Sequence, residues 1–269
     1  MKLPTSTILA LLLPCLPLAQ SLPSSSHKRG LVYVSTPHST TDSPIWTRSP
    51  SDLTWYYNYS PSPSVSFPHL DFAPMLFSIS TDDSFSTQID SVLKTNAVSG
   101  KETHILSFNE PDGPTDQGGT DLKPAAAAKA YLDTLVPLLG SHPDAGIQLG
   151  WPAVTGSPRG LTWLADFNKS CYALAPKTGC TASFLPVHWY GDFAGLAGYI
   201  SQVHALYPAL PLWVTEFADP NVDLEDSQGF FNQSISFLDK AAYVDRYAYF
   251  GGFRNQDSNV GGEGVMLDK

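Results

Sequence analysis

From Gly30 onward the chain alternates short, continuous apolar runs with longer stretches in which apolar residues recur every three or four positions. The short runs cover residues 31–34, 53–57, 72–77, 104–108, 147–149, 184–189, 212–215 and 247–250. Runs of this length, mostly apolar throughout, read as strands of a parallel sheet that is covered on both faces. The longer stretches read as helices. A polar start at Asp121 leads to Pro124 in a first turn, and an alanine-rich stretch continues to Leu139. Residues 161–174, 196–206 and 230–242 supply three more. The Pro- and Ser-rich segments 35–52 and 60–70 show no convincing helical pattern. About eight strands alternating with helices predict an α/β fold of the (β/α)8 TIM-barrel type whose first units lack full helices. A Rossmann-type open sheet would need a glycine-rich turn after an early strand, and the sequence has none.

The N-terminus carries a different pattern. Lys2 precedes an apolar run over residues 8–18, interrupted only by Pro14 and Pro17. The run reads as a secretory leader over residues 1–19 and is too short to cross a bilayer. A Ser-rich, disordered lead-in over 20–29 follows, then one domain over 30–269. Removing the leader leaves about 250 residues, the typical size of a single α/β barrel. The expected location is extracellular or the cell wall. Cys15 leaves with the leader, so Cys171 and Cys180 form an even pair in an oxidising compartment and are expected to be disulfide-bonded. Among the N-x-S/T sequons, Asn168 and Asn232 are the expected glycosylation sites. Asn58 is not, because it ends a strand and its sequon is followed by Pro61. The C-terminal residues 261–269 hold no apolar tail, so no lipid-anchor signal is expected.

Composition narrows the partner. A formal charge of −10 repels phosphate backbones and argues against nucleic acid. Few charges combined with many Trp and Tyr suit a neutral, hydroxyl-rich ligand. The seven histidines form no His-x-His or His-x-x-x-His cluster, so neither a metal nor a cofactor is expected. No Gly-x-Ser-x-Gly elbow marks an esterase. A monomer is expected, with no membrane association after leader removal.

Two glutamates stand directly after apolar runs, in His104-Ile-Leu-Ser-Phe-Asn-Glu110 and Leu212-Trp-Val-Thr-Glu216. In a barrel the C-terminal ends of all strands open on one face, where active sites lie. These are the fourth and seventh strands, which face each other across the mouth. A facing pair of carboxylates is what glycosidic cleavage requires: one protonates the leaving oxygen, the other attacks the anomeric carbon. Asn109 is placed to hydrogen-bond a sugar 2-hydroxyl, and His188 or Tyr190 to orient the nucleophile. Tyr57, Asn58, Trp189, Tyr249 and Phe250, at other strand ends, are candidates for substrate contact.

With these motifs in place, the chain resembles glycoside hydrolase family 128, the fungal and bacterial β-1,3-glucanases of clan A. The resemblance rests on Phe108-Asn-Glu-Pro-Asp112 and Trp213-Val-Thr-Glu-Phe217. It is supported by Trp55-Tyr-Tyr-Asn-Tyr-Ser60, Pro74-Met-Leu76, Pro152-Ala-Val-Thr155, Val187-His-Trp-Tyr-Gly191 and Arg246-Tyr-Ala-Tyr-Phe250. It spans residues 30–253. The resemblance implies a protein of fungal origin that acts on cell-wall β-1,3-glucan with retention of configuration, Glu110 as acid/base and Glu216 as nucleophile. Taken with the leader, the expected function is that of a secreted endo-β-1,3-glucanase. Trp151 and Tyr249 depart from the family pattern near strand ends and are expected to reshape the cleft. The alternative is a non-catalytic protein on the same scaffold that binds β-1,3-glucan oligosaccharides.

Overall fold

The computed structural model describes residues 27–80, 82 and 84–267. The expected leader and most of the lead-in lie outside them. The elements run β1 (Arg29–Val32), α1 (Ser39–Trp46), β2 (Trp55–Tyr57), β3 (Asp71–Phe72), α2 (Ser84–Ser99), β4 (Thr103–Ile105), α3 (Pro124–Thr134) and α4 (Val136–Ser141). They continue with β5 (Ile147–Leu149), α5 (Pro158–Leu174), β6 (Leu185–Tyr190), α6 (Phe193–Leu206), β7 (Leu212–Ala218), α7 (Leu224–Lys240) and β8 (Val244–Tyr249).

Every strand pairing is parallel. One sheet has the order β3-β2-β1-β8-β7-β6, and β4-β5 form a second. The α/β class and the parallel sheet agree with the sequence reading, but regular ladders do not run around a complete ring. Among the described residues, only single bridges join the two sheets, Met75 with Leu106 on one side and Gly150 with Phe184 and Val154 with Val187 on the other. Proline accounts for part of this. Pro74 follows β3, Pro152 follows β5 and Pro186 lies inside β6, and each removes an N–H that a continuous ladder would use.

Several elements differ from the sequence expectation. An eight-residue helix, α1, occupies the segment read as helix-free. It contains Pro44 and is tied down by Arg254, whose guanidinium donates to buried Asp42 at 2.6 and 2.8 Å. Helix α2 was not foreseen; it buries Phe85, Ile89 and Leu93, four residues apart on one face. The helix expected to reach Leu139 breaks at Leu135, ahead of Pro137, into α3 and α4. Helices α6 and α7 start at Phe193 and Leu224, earlier than the expected 196 and 230, because aspartates cap them. Asp192 accepts from Gly195 N at 2.7 Å and Asp223 from Asp226 N at 2.9 Å. Strand β1 begins at Arg29, inside the segment read as lead-in. The Arg29 guanidinium pairs with Asp52 and, at 2.6 Å, with Asp239. Cys171, in the last turn of α5, is disulfide-bonded to Cys180.

The strand starts enclose an aromatic core. Trp213 stacks on Phe184 at 4.1 Å, with Trp55 and His104 each 5.0 Å away and the Arg246 guanidinium 4.6 Å from its ring centre. Burial, assisted by the charge of Arg246, pushes the His104 imidazole down to about 4. The folded protein therefore favours neutral His104, while the unfolded chain takes up a proton near the ordinary value of about 6.5. This contribution is fully present above that value. It is lost as pH falls to about 4, by on the order of 3 kcal/mol in all. His104→Gln is expected to flatten that part of the profile, read as the parent-minus-variant difference in urea midpoint against pH.

Candidate active site

The C-terminal strand ends surround a cleft of about 730 Å³ lined by Asn109, Glu110, Trp189, Tyr190, Glu216 and Phe250, together with Tyr59. Glu110 is placed by a tight loop. Its N–H donates to Ala153 O at 2.8 Å, and its carbonyl accepts from Gly113 N at 2.8 Å and Thr120 N at 3.2 Å. Its backbone has φ 37°, in the left-handed region that non-glycine residues seldom adopt. The loop closes so tightly that a Cβ on Gly119 would lie 2.4 Å from the Gly113 backbone. Asp112 then ties this loop to the one after β5, accepting from Thr155 N at 2.9 Å and from the Thr155 hydroxyl. The Asn-Glu-Pro-Asp and Pro-Ala-Val-Thr segments are thus two halves of one support.

Glu216 comes from β7 and is buried at 4% exposure. Three phenols converge on it. Tyr59 donates to Oε1 at 2.6 Å, Tyr57 to the same oxygen at 3.2 Å, and Tyr190 to Oε2 at 2.6 Å. Burial first, and the charge of Glu216 second, hold all three phenols well above their ordinary value, so they remain protonated donors.

His188, fully buried, sits behind the pair. Its Nδ1 is 2.8 Å from Glu110 Oε1 and 3.4 Å from Glu216 Oε2, so one N–H spans both acids. Burial opposes its protonation, but the charge of Glu216 and the hydrogen bond and charge of Glu110 outweigh it and raise the imidazole above its usual value. One oxygen from each glutamate and a ring nitrogen of His188 all lie within 4.8 Å of one another. A divalent cation could use the same three ligands. In this arrangement Nδ1 is already engaged with Glu110.

The other residues expected in the site divide. Asn109 is buried against the cleft; its amide nitrogen donates to Gly118 O at 3.0 Å, while its Oδ1 has no partner among the described residues. Trp189, Tyr190 and Phe250 line the cleft, Tyr190 and Phe250 edge to face at 5.8 Å. Tyr57 lies fully buried beneath Glu216 and offers no face for a sugar. Asn58 points away, donating to Ser62 O and Ser64 Oγ. Trp151 is turned outward, its indole N–H on Cys180 O at 2.7 Å and its ring packed on Phe167 and Tyr207. Tyr249 is buried against Phe217 and Phe231 and donates to Gly264 O at 2.8 Å. Neither Trp151 nor Tyr249 reshapes the cleft, because adjacent strand residues face opposite sides and these two face the outer layer. Tyr59 was missed from the site. It lies two positions past the end of β2 with φ 59°, so the only signal in the sequence was its place in the aromatic run Trp55-Tyr-Tyr-Asn-Tyr59.

A model described as glycosyl hydrolase catalytic core matches residues 30–269. The chain belongs to that family, within the group formed by glycoside hydrolase family 128. Alkali-sensitive linkage protein 1 of Schizosaccharomyces pombe is 31% identical over 225 residues, covering 80% of this chain. The match covers only 37% of that longer relative. A curdlan-specific exo-β-1,3-glucanase of subgroup III from Blastomyces gilchristii, solved with glucose, is 29% identical with a TM-score of 0.69, covering 85% of this chain and 91% of its own. A subgroup IV endo-β-1,3-glucanase from Lentinula edodes is 25% identical with a TM-score of 0.72, covering 91% and 95%. A subgroup VII oligosaccharide-binding protein from Cryptococcus neoformans, 22% identical with a TM-score of 0.67, covering 90% and 88%, shares the fold.

Proposed function

We propose that this glycoside hydrolase is a secreted, retaining endo-β-1,3-glucanase with Glu216 as nucleophile and Glu110 as acid/base. The observation that carries the reading is the meeting of Glu110 and Glu216 at the cleft, backed by buried His188, with one oxygen of each acid and a ring nitrogen of His188 within 4.8 Å of one another. Retaining enzymes hold their carboxyl groups about 5–5.5 Å apart, whereas inverting enzymes leave room for a water between them. Glu216 attacks the anomeric carbon as Glu110 passes its proton to the departing glycosidic oxygen, leaving a glycosyl ester on Glu216. Glu110 then takes a proton from water, which attacks the same carbon and releases Glu216 as carboxylate. The open Asn109 oxygen receives the sugar 2-hydroxyl, and Trp189, Tyr190 and Phe250 offer ring surface to the chain.

Closure of the eight strands into a (β/α)8 barrel belongs to the same reading, supported by the single bridges that join the two sheets. So do a secretory leader over 1–19, a lead-in up to β1, a catalytic domain to 269 and action as a monomer outside the cell or in its wall. Glycosylation is proposed at Asn168 and Asn232; Asn232 is exposed on α7. No helix among the described residues is long and apolar enough to cross a membrane.

The test is product analysis on β-1,3-, β-1,4- and β-1,6-glucans. Early release of mixed oligosaccharides from the β-1,3-linked polymer alone is expected. Glucose as the sole early product would overturn the endo mode. Oligosaccharide binding without any release would favour the non-catalytic alternative suggested by the subgroup VII neighbour.

A further inference from the structure

We infer that Tyr59 is the positioning residue for Glu216, locking Oε1 so that Oε2 is left to react. This rests on the proposed role of Glu216 as nucleophile.

A phenol has one proton to donate. Tyr57 has two acceptors in reach, Thr215 O at 3.1 Å and Glu216 Oε1 at 3.2 Å, so its proton is divided between them. Tyr59 is 2.6 Å from Oε1 and is the donor committed to that oxygen. Oε1 therefore faces two phenols, one of them fully buried. Oε2 faces the other way. It lies 3.4 Å from His188 Nδ1, the atom that also holds Glu110. A sugar whose leaving oxygen is within reach of Glu110 presents its anomeric carbon on that side. The donor on Oε2, Tyr190, stands at the cleft wall and is 36% exposed, so the Oε2 side of Glu216 is the side that opens toward the cleft.

The backbone is bent to make this contact. Tyr59 has φ 59°, a rare conformation for an aromatic residue. Such conformations persist where the surroundings over-determine them, and they gather at functional sites. Here Asn58 Nδ2 bonds Ser62 O at 3.1 Å and Ser64 Oγ at 2.9 Å, and Met75 N donates to Ser60 O at 3.0 Å. The ring is held edge to face by Tyr57 at 5.0 Å and by Phe77 at 6.2 Å. Asn58, expected to touch substrate, instead braces the turn that delivers Tyr59.

The experiment is a carbon-13 NMR titration of the full protein labelled at glutamate carboxyls, with the Glu216 signal identified by its loss in Glu216→Gln. Tyr59→Phe removes a donor to the ionised carboxylate, so Glu216 is expected to titrate about one unit higher than in the parent. Tyr57→Phe is expected to move it less. If Tyr59→Phe does not fold, 3-fluorotyrosine at position 59 keeps the shape and strengthens the donor, and the shift should then be downward. In parallel, on an aryl β-glucoside whose leaving group needs no proton, Tyr59→Phe should lower kcat about tenfold or more with KM within about twofold. The acidic limb of its pH profile should move up. An unmoved Glu216 titration in a folded Tyr59→Phe, or a larger shift in Tyr57→Phe, overturns the assignment. The titration needs no turnover. A shift in a protein that cleaves no glucoside would count against the hydrolase reading while leaving Tyr59 as the anchor of Glu216.

Discussion

Glu216→Ala is expected to lower kcat on β-1,3-glucan by about 10⁴-fold or more, the scale of loss when a covalent nucleophile is removed. The fold should survive, because the variant removes a charge that three phenols and an imidazole surround rather than an apolar packing element. The informative result is rescue. Azide added to Glu216→Ala, with a substrate bearing a good leaving group, should fill the vacated space and yield the α-glycosyl azide. Glu110→Ala should behave differently. It should cripple glucan cleavage but spare formation of the glycosyl ester from a substrate whose leaving group needs no proton, and azide should then give the β-glycosyl product. Two distinct products from two variants separate the roles in a way that loss of activity alone does not. Rescue of both by the same route would contradict the assignment.

Trp213→Ala is expected to be the most damaging single change to stability. The indole is 1% exposed and contacts Phe184, Trp55, His104 and Arg246 together. Removing it leaves a void that rigid neighbours cannot fill, at a cost of about 3–5 kcal/mol. For a chain of this size that corresponds to a fall in melting temperature of about 6–20 °C. The urea midpoint should drop with little change in slope. Trp213 lies at the start of β7, three residues before Glu216, so kcat measured well below the transition should change far less than stability. A small loss of stability with a large loss of kcat would mean that the core supports the cleft more directly than its position implies.

The meeting of Glu110 and Glu216 was legible because it depends on one coarse rule, that strand ends share a rim. Glu110 and Glu216 follow apolar runs four and seven strands along the chain, and counting was enough to bring them together. The eight strands were legible for a similar reason, since each overlaps a short apolar run, although β3 and β8 also take in Asp71, Asp245 and Arg246. What escaped depended on finer geometry. Tyr249 and Phe250 were both expected at the cleft, yet neighbouring strand residues point to opposite faces, and only Phe250 reaches it. Register adds a further layer. The β6–β7 pairing shifts between Val187 and His188, and such a shift re-aims the side chains beyond it. No apolar periodicity encodes that. Tyr59 depends on a left-handed backbone, which sequence signals reliably at glycine and rarely at an aromatic residue. Helix α2 is a different kind of miss. Phe85, Ile89 and Leu93 lie at helical spacing in a mostly polar segment, where the stripe is narrow and easily read as a loop. Helix α1 has no such stripe; it is held instead by the ion pair between Asp42 and Arg254, more than two hundred positions apart.

The most direct test of the two-glutamate account is to trap the glycosyl enzyme. Incubation with a 2-deoxy-2-fluoro β-glucosyl fluoride extended by a β-1,3-linked unit should add one glycosyl mass. Digestion and mass spectrometry should place that mass on Glu216, within the peptide that contains Trp213-Val-Thr-Glu-Phe217. A label on any other residue, or turnover with inversion at the anomeric carbon and no adduct, would contradict it.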